Sequence, residues 1–209
     1  MAGYYLSITY GKFVKETDWL LLEFDEAINR LSASSVDKPA RLTAEMSVIR
    51  LHDAWARFSR EIVVLSAGGR PYTANGYRLP TAPGIRKISD VIPLLLRSYS
   101  RPRRYEPKWA RSQECIQAAQ LLNIPNFSTF AAAIGATNSP AEDLRPIRNF
   151  LAHRGEGSAK SVRNQSFFTT GTGKVNVEGV AGKLVPPGIT LFEKWIIDFR
   201  LVAGAAIQY

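Results

Sequence analysis

The chain has 209 residues, 45% of them hydrophobic, so it is long and apolar enough to bury most of its unfolded surface around one core. Its formal net charge of +9 at pH 7 favours a polyanionic partner over a neutral small molecule, and nucleic acid is the leading candidate. The single cysteine, Cys115, excludes an intramolecular disulfide and a thiolate zinc site within one chain, as is typical of a protein from a reducing compartment.

The ends of the chain predict a cytoplasmic protein that does not enter a membrane. Residues 1–5 lack the basic leader and apolar core of a secretory signal. The most apolar late segment, Trp195 to Ile207, is interrupted by Asp198 and Arg200 and is too short to span a bilayer. We therefore expect one domain over residues 1–209.

Apolar spacing predicts two long helices in the first third of the chain. Thr17 is a candidate N-cap for a helix that reaches about Leu31. A second helix is predicted from about Arg41 to Ser66, with an apolar stripe that needs a partner helix. His52 falls at a flank of that stripe, and the sequence favours a structural or surface role for it over a catalytic one.

Residues 67–107 predict a loop-rich connection around one short helix, because glycine and proline interrupt any longer element. Between Arg86 and Arg111 the chain carries eight basic residues against two acidic ones. Aromatic residues interleave with this charge, a mixture that can follow a phosphate backbone and stack on unpaired bases. We take five of these residues as candidate RNA contacts: Arg101, Arg103, Arg104, Tyr105 and Lys108. The alternative is a solvated loop whose arginines pair with acidic groups elsewhere.

The rest of the chain predicts further helices and one small sheet. Helices are expected from Lys108 to Leu122, from Asn126 to Ala136 and from Ser139, which has the pattern of an N-cap. Pro146 either kinks that last helix or is its first-turn proline. A polar insertion over residues 156–188 predicts a β-hairpin near residues 165–180, before a final helix from about Thr190. The predicted fold class is all-α, a helical bundle with this hairpin inserted.

The segment Arg148-Asn149-Phe150-Leu151-Ala152-His153 combines the side chains needed to handle a phosphodiester. Arginine binds phosphate oxygens through a planar charged fork, and histidine exchanges protons near neutral pH. If Leu144, Ile147 and Leu151 face the core, Asn149 and His153 point away from it, with Arg145 and Arg148 between. Arg148 and His153 are about 140° apart on an intact helix, so either the helix frays or two subunits each supply one of them.

This segment resembles the signature of the HEPN superfamily, an arginine, a polar residue, a short gap and a histidine near a helix end. The resemblance implies a small all-α domain that acts as a metal-independent RNase, often a toxin or phage-defence effector, with a site shared across a homodimer. It implies Arg148, Asn149 and His153 as the catalytic set. One toxin branch has a tyrosine two positions after the histidine, the target of an adenylylating antitoxin, where this chain has Gly155.

The function expected from these residues is endoribonuclease activity by attack of the ribose 2′-hydroxyl, with no metal and no cofactor. His153 transfers a proton, Arg148 with Arg145 stabilises the phosphate charge, and Asn149 orients the imidazole or the phosphate. One rival is a non-catalytic helical dimer that binds RNA or an acidic antitoxin or defence partner. Another is a DNA-binding regulator, for which no helix-turn-helix leads into a basic recognition helix.

Overall fold

The fold is all-α over residues 5–135, 140–168 and 175–208, which the computed structural model describes. In these ranges the helices are α1 Leu6–Ala33, α2 Lys38–Gly68, α3 Val91–Ser98, α4 Ser112–Leu121, α5 Phe127–Ile134, α6 Pro140–His153, α7 Glu156–Arg163, α8 Val177–Val180 and α9 Leu191–Ala206, with a 3-10 helix, Ile88–Asp90, before α3. Strands β1 Leu184–Val185 and β2 Ile189–Thr190 form one antiparallel hairpin in which Leu184 pairs with Thr190. The predicted fold class is confirmed.

The hairpin lies further along the chain than the sequence indicated. Val177–Val180, which falls inside the range expected to form strands, is the short helix α8. Gly179 N–H donates to the side chain of Asn176 at 2.9 Å, an N-cap that local β-propensity does not reveal. Residues 169–174, at the centre of the expected hairpin, lie outside the described ranges.

The internal contacts divide the described chain into two compact units. The first comprises residues 5–14, 55–135 and 200–208, and the second comprises residues 15–54, 140–168 and 175–199. Helices α1, α2 and α9 contribute residues to both units. No helix in the described ranges combines the length and the apolar character needed to cross a bilayer.

The first unit has an aromatic core. Phe13 packs on Phe58 with ring centroids 5.0 Å apart, and Trp55 stacks on Phe58 at 5.6 Å. Cys115 is buried, and its thiol donates to the carbonyl of Trp109 at 2.8 Å. Burial raises the pKa of this thiol to about 12, so Cys115 is a core residue and not a nucleophile.

The second unit is built on apolar faces of four helices, α1, α2, α6 and α9. Phe24 of α1 stacks on Phe192 of α9 with centroids 4.1 Å apart. On α6, Leu144, Ile147 and Leu151 are buried, as their spacing predicted. This buried face fixes the rotation of α6 about its own axis, and therefore decides which motif side chains are accessible.

The start of the first helix differs from the prediction. Helix α1 begins at Leu6, so Thr17 is buried inside the helix and does not cap it. The apolar spacing Leu6, Phe13, Leu20 continues through Gly11, and burial of that face outweighs the helix-weakening effect of one glycine. Further along the chain, α6 ends at His153 and the short helix α7 begins at Glu156, inside the range expected as a polar insertion.

Candidate functional site

Helix α6 carries the candidate motif, and its own sequence explains where it begins and ends. Pro140 opens the helix, where a missing N–H costs nothing, and Glu142 and Asp143 complement the positive helix end. The expected cap, Ser139, lies outside the described ranges. Pro146 lies inside α6, so it is not the first-turn proline and leaves the carbonyl of Glu142 without its helical donor.

The helix ends immediately after the motif. His153 is its last residue, and Arg154 takes a left-handed backbone conformation with φ of 49°. The N–H of Arg154 donates to the carbonyl of Phe150 at 2.7 Å, which closes the last turn. The helix is therefore intact through His153, which stays about 140° around and about 7.5 Å along the axis from Arg148.

The motif side chains differ in exposure. His153 is exposed, while Asn149 and Arg148 are half-buried. Arg145, which lies one turn before Arg148 on the same helix, is also half-buried, and its guanidinium pairs with Glu142 at 3.1 Å. That pair is largely in solvent and contributes little to stability, so Arg145 remains able to turn toward an anion.

Arg148 differs from other arginines of the second unit because its guanidinium lacks a carboxylate partner among the described residues. Its Nε is buried and has no hydrogen-bond partner. No carboxylate in residues 5–135, 140–168 or 175–208 lies within ion-pair distance of it, although other arginines of the second unit, such as Arg50 with Glu23 at 2.7 Å, are paired. A buried charged donor without an acceptor is costly, and such a group requires an explanation. An anionic ligand supplies one.

One ion pair and one electrostatic interaction indicate how α6 lies against α2. Near the end of α6, the guanidinium of Arg154 forms an ion pair with Glu45, whose side chain is only 8% exposed. Further back on α6, the charges of Arg148 and Arg145 reach His52 of α2 and lower its pKa. From Glu45 to His52 the axis of α2 advances about 10 Å, and from Arg154 back to Arg148 that of α6 advances about 9 Å. The helices are therefore antiparallel, with His52 at the level of Arg148.

His52, for which the sequence favoured a structural or surface role, lies on α2 where the charges of Arg148 and Arg145 act on it. Its side chain is 17% exposed, and its Nδ1 lies 3.3 Å from a carboxylate oxygen of Asp53. Burial is the main cause that lowers the pKa of His52, opposed by the hydrogen bond and charge of Asp53 and reinforced by Arg148 and Arg145. The imidazole is therefore neutral at pH 7. The only sequence signal for it was the adjacent aspartate.

A pocket of about 560 Å³ begins directly after the motif histidine. Its lining includes Phe150 and members of two Arg–Glu ion pairs, Arg154 with Glu45 and Arg163 with Glu156 at 2.7 Å. Each cation here already has a carboxylate, so the pocket offers donors and acceptors without a large net charge. It differs in this respect from the surroundings of Arg148.

The predicted RNA contacts outside the motif belong to the first unit. Arg103 is held in place, because its guanidinium lies 4.0 Å from the ring centroid of Tyr99 and 3.3 Å from Glu114. Tyr105 is 79% exposed, and the side chains of Arg101, Arg104 and Lys108 are exposed and form no ion pair in the described part of the chain. Of the five candidates, four are open to a ligand and Arg103 serves the local structure.

In the described ranges, no group of three or more His, Cys, Asp or Glu side chains is placed to hold a metal ion.

Comparison of the chain with protein-family models, with curated proteins and with solved structures found no match. The resemblance to the HEPN superfamily therefore depends on the motif and the helical fold alone.

Proposed function

We propose that this protein is a metal-independent endoribonuclease whose site is centred on Arg148. The observation that carries the proposal is the guanidinium of Arg148, whose buried Nε has no hydrogen-bond partner among the described residues. Arg145 stands one turn away on the same helix. A phosphodiester would supply the missing acceptor, and guanidinium groups recognise phosphate oxygens in a bidentate manner.

The proposed chemistry uses the motif residues in distinct roles. Arg148, with Arg145, stabilises the charge that develops on the phosphate as the 2′-hydroxyl attacks. His153 protonates the leaving oxygen, and Asn149 holds the phosphate or the imidazole through its amide. DNA is not cut by this route, because it lacks the internal nucleophile. The products are a 2′,3′-cyclic phosphate and a 5′-hydroxyl.

The site is completed by a second copy of the chain in this proposal. Arg148 and His153 diverge by about 140° on an intact helix, so one copy does not bring both to the same phosphate. The exposed His153 is available to a partner's Arg148. Mixing the inactive Arg148→Ala and His153→Ala proteins should then restore about a quarter of the activity, because half of the random dimers carry one intact site. No recovery after subunit exchange would contradict the shared site.

The decisive experiment is cleavage of a structured RNA in EDTA by four purified proteins. The unaltered chain and Lys38→Ala, which removes an exposed charge in the same unit, should cleave alike. Arg148→Ala and His153→Ala should each lose about 10²–10⁴-fold in rate. Cleavage that survives in both variants, or that requires added metal, contradicts the proposal.

A second function is favoured by the exposed basic residues of the first unit. Arg101, Arg104, Lys108 and Tyr105 offer charge and a stacking surface that do not depend on the motif. This suits a non-catalytic dimer that binds RNA or an acidic antitoxin. Neutralising the three cations should lower the salt dependence of RNA binding by about three counterion units, and an unchanged salt dependence would contradict this second function. The physiological role in either case is that of a toxin or an anti-phage effector.

A further inference from the structure

We infer that His52 is a second proton-transfer residue of this site, the general base that takes the proton from the ribose 2′-hydroxyl at the phosphate held by Arg148. This inference depends on the proposed ribonuclease function. It assigns a role to a histidine outside the motif and adds helix α2 to the site. Each copy of the chain then contributes an imidazole beside its own Arg148.

The packing of α2 against α6 gives His52 and His153 different positions relative to Arg148. His52 lies at the level of Arg148 in the register set by the Glu45–Arg154 ion pair. His153 of the same chain lies about 7.5 Å along the helix from Arg148 and about 140° around it. Within one copy, His52 is therefore the imidazole at the level of Arg148, and the charge of Arg148 acts on it.

The surroundings of His52 suit a general base. Its Nδ1 faces the carboxylate of Asp53 at 3.3 Å, so a proton on Nδ1 is donated to Asp53 and the lone pair is on Nε2. The side chain is 17% exposed, which leaves an edge open to a ligand. A carboxylate that orients an imidazole in this way fixes its tautomer, as a base that works through Nε2 requires.

The alternative is that His52 has a purely structural role. The charges around His52 distinguish this role from that of a general base. Asp53 faces it from its own helix, and Arg145 and Arg148 face it from α6. Two cations near an imidazole disfavour its protonated form, and this repulsion does not stabilise the fold. Burial, reinforced by the same two cations, lowers the pKa of His52, so the imidazole is neutral at pH 7, as a base must be before it acts.

The reaction balances with two histidines. The 2′-hydroxyl gives its proton to Nε2 of His52 as the 2′-oxygen bonds to phosphorus, while Arg148 and Arg145 stabilise the phosphate. The bond from phosphorus to the 5′-oxygen then breaks, and the protonated His153 of the second copy supplies the proton that this oxygen takes up. His52 afterwards loses its proton to water and His153 regains one.

The test compares His52→Gln and His52→Asn with the unaltered protein across pH 4.5–8. Gln keeps an amide near the position of Nε2 and Asn keeps one near Nδ1, so at least one should fold normally by circular dichroism. Loss of a general base predicts a fall of about 10²–10⁴-fold in kcat/KM with little change in KM. It also predicts loss of the acid limb of the pH profile. Folded variants that keep the rate and the limb overturn the assignment.

A substrate with a sulfur in place of the 5′-bridging oxygen separates the two histidines. The thiolate leaves without a proton, so this RNA should restore cleavage by His153→Ala but not by the His52 variants. Rescue of the His52 variants in place of His153→Ala overturns the assigned roles. If the unaltered protein cleaves and only the His52 assignment fails, the proposed function stands. If the unaltered protein does not cleave any RNA, both fall.

Discussion

Replacing Arg148 with methionine should stabilise the fold while it removes most of the RNA cleavage. Methionine keeps the apolar part of the half-buried side chain and removes the buried Nε that lacks a hydrogen-bond partner. An unsatisfied buried donor costs about 1–3 kcal/mol, and partial exposure of this residue places the expected gain near the low end, about 1 kcal/mol. The lost phosphate contact should lower kcat/KM by about 10²–10³-fold, equivalent to about 3–4 kcal/mol of transition-state stabilisation.

The assay pairs urea denaturation with cleavage of the same structured RNA in EDTA. Arg148→Lys is the matched control, because it retains the charge but not the planar fork, and it should recover only part of the activity. Inorganic phosphate should stabilise the unaltered protein more than the methionine variant. A methionine variant destabilised by more than about 1 kcal/mol would show instead that the guanidinium of Arg148 is satisfied within the fold.

Three other predictions concern the surroundings of the site and the core. Glu45→Gln should destabilise the chain by about 1–2 kcal/mol, less than for a fully buried pair because Arg154 is half in solvent; an unchanged urea midpoint would show that this ion pair does not fix the register. The pKa of His52 is lowered in the folded state, so its stabilising contribution is complete above the unfolded pKa of about 6.5 and is lost as pH falls through the folded value. Thermal melts should therefore show a steeper loss of stability below pH 6.5 for the unaltered protein than for His52→Gln, and equal slopes would count against the structure around His52. Cys115, whose pKa is raised to about 12, should react with iodoacetamide at least about a thousandfold more slowly than free cysteine, and rapid alkylation of the folded protein would contradict its burial.

The fold class and the exposed side of the motif helix followed from periodicity. Leu144, Ile147 and Leu151 share one face at helical spacing, and their burial alone decides that His153 points to solvent. Local signals were less informative where burial competed with them. Thr17 resembles an N-cap, but continuing apolar contacts extend α1 back to Leu6.

The position of His52 relative to Arg148 could not be predicted, because it depends on tertiary register. Nothing near position 52 in the sequence indicates that the charge of Arg148 acts on it, and the contact between Glu45 and Arg154 that aligns the helices is equally remote. The unsatisfied state of Arg148 is also a property of the folded chain. A sequence shows which arginines are present, but only the packed helices show which of them lacks a carboxylate.

Cleavage of RNA by its own 2′-hydroxyl, at a phosphate bound by Arg148, is tested most directly by mass spectrometry of the fragments formed in EDTA. The comparison uses the structured RNA and a matched RNA that carries a single 2′-deoxy nucleotide at the mapped cleavage position. We expect a 2′,3′-cyclic phosphate end from the first RNA and no cleavage at that position in the second. Cutting of the deoxy-substituted RNA at the same place, or ends that carry a 5′-phosphate, would contradict it.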